Sequence, residues 1–196
     1  MENTRPHKYI IVGFHSSGKR EVLEDLQNEG IKTGKLFTTA DKIPVAAYCV
    51  DTINYTVQDV EMMFENQAYI FVHQKQYGPT IYYEGLSFYE YDNNDVFAMT
   101  PSQFNEVPNL DSKKTCIVWM DNNVSDRRQR YSSNHYKYDF AIQEEIDKIN
   151  CAEFVDKLNE YDVLYFNNEV PERVSAIIKS LILHPDLYDT FLNRYK

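Results

Sequence analysis

Short β-branched and aliphatic runs along this chain alternate with stretches in which apolar residues recur every three or four positions. The first run, KYIIV at 8–12, predicts a buried strand, and the REVLEDLQNEG stretch after the next loop predicts a helix with Gly30 at its C-terminal cap. Similar runs predict further strands at 35–39, 44–50, 68–72, 80–83, 86–91, 95–100, 115–120 and 162–166. Helical spacing predicts helices at 56–66, 125–131 and 139–157, one that begins at Pro171 and a short one at 186–195.

Strands and helices alternate at both ends of the chain, whereas the middle holds a run of short strands. Such alternation is typical of a parallel sheet flanked by helices, because neighbouring parallel strands need a crossover connection. The pattern therefore predicts an α/β protein with a parallel core and a small β-rich lobe inserted into it.

Composition and charge narrow the classes of protein to which this chain can belong. Of its 196 residues, 43% are hydrophobic and 26% are charged, which are ordinary values for a globular protein. The net charge of −10 argues against general binding to nucleic acid, because most of the surface repels a phosphate backbone. A small phosphate ligand stays compatible with this charge, since it needs only a local cluster of positive groups.

The sequence also lacks the signals of membrane insertion and of an oxidising compartment. No apolar run approaches the roughly 20 residues of a membrane span, and the N-terminus has no signal-peptide pattern. Cys49, Cys116 and Cys151 have no Cys-x-x-Cys spacing, which argues against a zinc ribbon or a disulfide scaffold. We therefore expect a cytoplasmic protein that binds neither membranes nor nucleic acid.

One loop carries a specific chemical signal. Residues 13–19, GFHSSGK, match the pattern G-x-x-x-x-G-K between a predicted strand and a predicted helix. Glycines let the backbone curl until successive N–H groups point at a phosphate, and the helix N-terminus adds positive potential. An ordinary strand-to-helix turn is the alternative, and the pattern arises by chance about once in a hundred chains of this composition. The residues predicted to bind a nucleotide are Gly13, His15, Ser16, Ser17, Gly18, Lys19 and Arg20.

The residue after the lysine of this loop departs from the usual pattern. Arg20 stands where a serine or threonine hydroxyl normally binds Mg²⁺, and a guanidinium does not ligate cations. Ser16 or Ser17 would then supply the hydroxyl, and Asp121, which ends the CIVWM run, is the candidate metal-binding carboxylate. The sequence predicts anion binding at the loop and leaves the metal open.

Several segments resemble one family in the same order along the chain. The segment KYIIVGFHSSGKREVLEDL resembles the opening strand, phosphate loop and helix of the guanylate kinase family of P-loop nucleoside monophosphate kinases. LFTTADKIP, YTVQDVEMMFENQAYIF, VFAMTPSQF, CIVWMDNNVSDRRQRY and EYDVLYFNNEVPERVSAI resemble later segments of that family. The resemblance extends from Lys8 to about Ile178.

The resemblance implies a fold and a set of site residues. It implies a P-loop NTPase-type parallel sheet in one domain, with a core at about 8–36 and 94–196, a monophosphate-binding lobe at about 37–93 and a lid at about 130–140. ATP, with Mg²⁺, would be the phosphate donor, and Lys19, Arg127 and Arg130 would be catalytic. The residues implied to hold the acceptor are Thr38, Thr39, Lys42, Tyr77 and Gly78.

Departures from the family pattern concentrate in the acceptor site. Ala40 and Ile43 replace the two arginines that grip the monophosphate in the family. The family's guanine-recognising glutamate has no counterpart near residues 68–71, and Met99 and Pro101 occupy the strand that should carry aspartate. The donor site is therefore better kept than the acceptor site.

Two functions remain open at this level. The first is an ATP-dependent nucleoside monophosphate kinase with altered acceptor specificity. The second is a catalytically degenerate module that binds a nucleotide, a protein partner or a second copy of the chain, and the tyrosine-rich lobe favours it because tyrosine is common at interfaces. The alternative to a functional role is a structural one, in which the tyrosines pack within the lobe and the arginines at 127, 128 and 130 lie on a solvated helix face. The acidic residues Glu144, Glu145 and Asp147 are likewise expected to lie on a solvated face.

Overall fold

Two four-stranded sheets and the helices that cover them make up the computed structural model, which describes residues 6–39, 52–77, 79–108, 110–133 and 140–195. The strands are β1 (Lys8–Gly13), β2 (Leu36–Thr38), β3 (Thr52–Asn54), β4 (Tyr69–Tyr77), β5 (Thr80–Ser87), β6 (Val96–Met99), β7 (Thr115–Asp121) and β8 (Asp162–Asn167). The helices are α1 (Lys19–Asn28), α2 (Val57–Glu65), α3 (Phe88–Asn93), α4 (Pro101–Glu106), α5 (Val124–Ser133), α6 (Phe140–Leu158), α7 (Pro171–Leu183) and α8 (Tyr188–Tyr195), with a 3-10 turn at Pro185–Leu187.

The first sheet is parallel throughout, with strand order β6-β1-β7-β8. Every residue of β1 is buried, as expected of a parallel strand that is covered on both faces. Tyr9 and Ile11 pack on one face with α1, α7 and α8, whereas Ile10 and Val12 pack on the other with Phe104 of α4 and with α6. The prediction of a parallel α/β core flanked by helices is confirmed.

The carboxyl ends of β1 and β7 lie side by side at one edge of this sheet. Gly13, the last residue of β1, pairs in register with Met120, so Asp121 lies one residue beyond it on the neighbouring strand. The loop that follows β1 and the acidic end of β7 therefore meet at the same edge, where open α/β sheets place their ligands.

The second sheet has the order β3-β2-β5-β4 and is mixed, with β2 parallel to β3 and antiparallel to β5. Phe71 and Leu86 of this sheet join the same buried cluster as Phe97 and Phe104, which ties the sheet to the parallel core. Its strands lie almost wholly within the 37–93 segment predicted as an inserted lobe, and that division of the chain stays a prediction.

Most elements lie where the hydrophobic pattern predicts them, including α2, which Thr56 caps through Asp59. The predicted strand at 86–91 is wrong beyond Ser87, the last residue of β5. The Ser87 hydroxyl accepts a hydrogen bond from the Glu90 N–H, and this cap starts α3. The predicted strand at 44–50 lies outside the described residues. No helix in the described part of the chain is long and apolar enough to cross a membrane.

Candidate functional site

The loop between β1 and α1 has a shape that its two motif glycines make possible. A Cβ at Gly13 would lie 2.6 Å from the Ser17 Oγ and 2.8 Å from the Met120 carbonyl oxygen. Gly18 has φ +96°, and a Cβ there would lie 2.8 Å from Nη1 of Arg130. Side chains at these positions would clash with their surroundings, so Gly13 lets the loop lie tight against β7 and Gly18 lets Arg130 and Pro171 approach the N-terminus of α1.

Two cationic side chains converge on this loop. Nζ of Lys19 donates hydrogen bonds to the carbonyl oxygens of Gly13 at 2.7 Å and Phe14 at 2.8 Å. The guanidinium of Arg130 reaches the other end of the loop, beside Gly18. Both charges add to the positive potential of the α1 N-terminus, and together they form an environment suited to an anion.

An orphaned hydroxyl in the same loop also fits a bound oxygen atom. The Oγ atom of Ser16 is buried and has no hydrogen-bond partner among the described residues. A buried hydroxyl without a partner is costly, and a ligand oxygen would satisfy it. Its place within the loop makes a phosphate group the ligand chemistry that fits.

A buried carboxylate of α6 holds the centre of the loop. Oδ2 of Asp147 accepts a hydrogen bond from the His15 backbone N–H at 2.9 Å, and Oδ1 lies 2.6 Å from the His15 Nδ1. Burial raises the pKa of Asp147, but the hydrogen bonds and charge of His15 and the charge of Lys19 lower it further than burial raises it. Asp147 is only 3% exposed and Glu144 is also buried, so the prediction that these acids lie on a solvated face is wrong for both, whereas Glu145 is exposed.

Arg127 of α5 is also buried, with 2% of its surface exposed. Its Nη2 donates to Glu144 Oε2 at 2.5 Å, and its Nη1 lies 3.8 Å from Asp147 Oδ2. Its Cζ lies 4.8 Å from the centre of the Phe14 ring. The solvated-face alternative is wrong for Arg127. Its catalytic role stays a prediction, and its partners are those of a buried ion pair.

Arg20 and Asp121, at the two positions where the family pattern places Mg²⁺ ligands, each contact another side chain, and the metal site stays a prediction. Arg20 is 51% exposed, and its Nε donates to Glu24 one turn along α1 at 2.6 Å. Oδ2 of Asp121 accepts a hydrogen bond from the Tyr165 hydroxyl at 2.7 Å, which is the main reason that the pKa of Tyr165 rises to about 12. Across the described ranges, no group of three or more His, Cys, Asp or Glu residues is placed to hold a metal.

The predicted acceptor residues belong to the second sheet, follow one of its strands or lie outside the described residues. Thr38 is buried in β2, in register with Glu84 of β5. The hydroxyl of Thr39 accepts a hydrogen bond from the Tyr83 N–H at 2.9 Å, so it takes part in strand pairing. Tyr77 is the last residue of β4, and Lys42 and Gly78 lie outside the described residues. The acceptor site stays a prediction.

Two buried acids near these regions were not identified by the sequence analysis, which did not consider Glu84 and placed Asp147 on a solvated face. Glu84 is buried between the second sheet and α4, where it pairs with Lys75 and accepts a hydrogen bond from Gln103 Nε2 at 3.4 Å. Its signal is the alternation of β5, which puts it on the same face as the buried Tyr82 and Leu86. Asp147 has a similar signal, since it lies seven residues before the buried Phe154 on α6.

Comparison with known proteins supports the architecture. No protein-family model matches the chain, and no curated protein matches it. Its fold is similar to that of a guanylate kinase from Anaplasma phagocytophilum, with a TM-score of 0.51 and 14% identity over 91% of this chain and 85% of that chain.

Two further solved structures resemble the chain more weakly. An uncharacterized protein from Eubacterium ventriosum ATCC 27560 has a TM-score of 0.43 and 12% identity, over 90% of this chain and 99% of that one. A sugar kinase from Janibacter sp. HTCC2649 has a TM-score of 0.42 and 13% identity, over 96% and 95%. Identities of 12–14% concern the fold alone. With its parallel sheet, its flanking helices and its likeness to the first structure, the chain has a P-loop kinase-like α/β fold.

Proposed function

We propose that this chain binds ATP by its phosphate groups at the 13–19 loop and transfers a phosphoryl group to a nucleoside monophosphate. The observation that carries the proposal is the convergence of Lys19 and Arg130 on a glycine-shaped loop at the N-terminus of α1. Phosphoryl transfer asks little covalent chemistry of a protein and depends mainly on positioning and positive charge. A loop of this kind supplies both.

The side chains around the loop have separate roles in this proposal. Lys19 exchanges the Gly13 and Phe14 carbonyl oxygens for phosphate oxygens when the nucleotide binds. Arg130 stabilises negative charge from the side of Gly18, and the orphaned Ser16 hydroxyl donates to a phosphate oxygen. Asp121, at the end of β7 beside the loop, is the proposed carboxylate ligand of a Mg²⁺ ion that would arrive with the nucleotide.

The proposal defines the acceptor site less closely than the ATP site. We assign Thr38, Thr39, Lys42, Tyr77 and Gly78 to the acceptor site on the resemblance of their segments alone. Alanine and isoleucine at 40 and 43 remove two guanidinium groups that would bind the acceptor phosphate in a bidentate way. We therefore propose an acceptor specificity that differs from that of a guanylate kinase.

A second candidate function rests on the metal-binding positions. Arg20 stands where the family pattern has a Mg²⁺-binding hydroxyl, and it pairs with Glu24. Asp121, the candidate metal-binding carboxylate, accepts a hydrogen bond from Tyr165. A chain that binds phosphate without a metal would suit a nucleotide- or protein-binding module that has lost catalysis.

Turnover and binding, measured together, separate the two candidates. The purified protein would be incubated with ATP, Mg²⁺ and each of the ribo- and deoxyribonucleoside monophosphates, while calorimetry measures ATP binding. Formation of a diphosphate from any acceptor establishes the kinase and identifies its substrate. ATP binding without turnover of any acceptor favours the binding module, and absence of ATP binding contradicts both nucleotide-based proposals.

Substitution of Arg20 tests directly whether the missing hydroxyl at this position weakens Mg²⁺ binding. We expect Arg20→Ser to raise Mg²⁺-dependent turnover severalfold, because the serine hydroxyl restores a metal ligand at the position where P-loops carry one. Arg20→Ala is the matched control, since it removes the same exposed charge without adding a hydroxyl. Steady-state kinetics over a range of Mg²⁺ concentrations provide the measurement. Equal rates for the two variants would show that the acceptor site limits turnover.

A further inference from the structure

We propose that Asp147 is a positioning residue that sets the conformation of the phosphate loop, and this inference rests on the proposed binding of phosphate there. Asp147 lies on α6, 132 residues from the loop residue that it holds. Its role is to fix the loop before the ligand arrives, so that the loop N–H groups and Lys19 need no rearrangement beyond the release of two carbonyl contacts.

The first support is the two-point contact with His15. One carboxylate oxygen accepts from the backbone N–H and the other contacts the ring at Nδ1, at 2.9 Å and 2.6 Å. A backbone contact alone would fix only the main chain, and a ring contact alone would fix only the side chain. The two together determine the direction of the loop at its third residue.

The second support is the continuity of this contact with α5. Arg127 lies 3.8 Å from Asp147 at its Nη1 and stacks over Phe14, the residue before His15. Two consecutive loop residues therefore contact one buried cluster, which consists of Arg127, Asp147 and Glu144. The cluster ties the loop to α5 and α6, which flank the predicted lid.

Charge alone makes the opposite prediction for Asp147, and this contrast makes the inference testable. A buried carboxylate beside an anion site repels the anion, so its removal by itself should tighten phosphate binding. A preformed loop, in contrast, binds more tightly because less conformational entropy is lost on binding. If Asp147 acts by position, affinity must follow the geometry of the side chain rather than its charge.

Two substitutions of Asp147 separate geometry from charge. Asp147→Asn keeps the shape and loses the charge, and its amide oxygen still accepts from the His15 N–H while its NH₂ donates to a neutral ring nitrogen. Asp147→Glu keeps the charge but moves the carboxylate by one methylene. We expect ATP affinity within about threefold of the wild type for Asn and about tenfold weaker for Glu. Glu145→Gln, at the exposed neighbouring position, is the charge-matched control for Asn and should bind like the wild type.

A local measurement distinguishes loop positioning from a general loss of structure. The His15 amide proton should exchange slowly in the wild type and in Asp147→Asn, and at least tenfold faster in Asp147→Glu, while the amides of β1 stay protected. If Asp147→Glu does not fold, Asp147→Ala replaces it, with the same expected loss of affinity and of protection at His15.

The outcomes are separable from those of the proposed function. Tighter ATP binding in Asp147→Asn would overturn the positioning role, because it would show that the carboxylate mainly repels phosphate. Wild-type affinity in Asp147→Glu would also overturn it, because the position of the carboxylate would then have no effect on binding. Rapid exchange of the His15 amide in the wild type would overturn it as well. Absence of ATP binding by the wild type would refute the proposed function before any variant is compared, and the positioning role with it.

Discussion

Replacement of Lys19 by alanine is expected to lower ATP affinity by at least about a hundredfold. The Lys19 ammonium makes two short hydrogen bonds to loop carbonyl oxygens and is placed to exchange them for phosphate oxygens. Because the carbonyl contacts are given up on binding, the gain is that of ammonium–phosphate contacts between opposite charges over ammonium–carbonyl contacts. A gain of about 1.5 kcal/mol or more for each of the two exchanged contacts gives about 3 kcal/mol or more. Since about 1.4 kcal/mol corresponds to a tenfold change in affinity, the expected decrease is at least about a hundredfold.

The control for this experiment is Lys32→Ala, which removes the same charge from an exposed position just beyond α1. Calorimetric titration with ATP would be run on both variants and on the wild type, with thermal unfolding to verify that the loop change leaves the fold intact. Equal affinity of Lys19→Ala and the wild type would mean that the 13–19 loop is an ordinary strand-to-helix turn.

Replacement of Arg127 by alanine is expected to lower the free energy of unfolding by about 3–5 kcal/mol. The substitution leaves the buried Glu144 without its closest cationic partner and removes the charge that lies 3.8 Å from Asp147, and a buried charge without a partner is strongly destabilising. It also removes the guanidinium that covers Phe14. The resemblance implies instead a catalytic Arg127, for which stability would stay close to that of the wild type while turnover falls.

Denaturant unfolding at neutral pH measures this effect directly. Arg128→Ala, on the exposed side of the same helix, is the matched control and should change the free energy of unfolding by less than about 0.5 kcal/mol. Wild-type stability in Arg127→Ala would show that the buried cluster contributes little and would return Arg127 to the set of catalytic candidates.

The elements that the sequence predicted well are those with a strong local signal. β1 and β7 are nearly continuous apolar runs, α1 begins after a glycine loop and α7 begins at a proline. In a parallel sheet covered on both faces, burial requires such runs whatever the rest of the chain does. The glycines of the 13–19 loop were predictable for the same reason, because tight turns need residues without a Cβ.

The elements that the sequence missed depend on caps within ambiguous stretches. LSFYEY at 86–91 is rich in aromatic residues and predicts a strand, yet β5 ends at Ser87 and the Ser87 cap on the Glu90 N–H starts a helix there. Thr100, Pro101 and Gln103 form a capping box and a proline start for α4 within a stretch that resembled the end of a strand. In both cases a few hydrogen bonds decide between conformations of similar propensity.

By itself, the sequence determined the order of strands and helices and the position of the glycine-containing 13–19 loop, because these follow from residues that are close together along the chain. Only the tertiary structure decided which charged residues around that loop are buried and which partners they contact. The sequence pattern predicts solvent-exposed helix positions for Arg127, Glu144 and Asp147. They are buried because they contact one another and the loop. His15 and Asp147 are separated by 132 residues, and no local pattern records which distant partner will neutralise a buried charge.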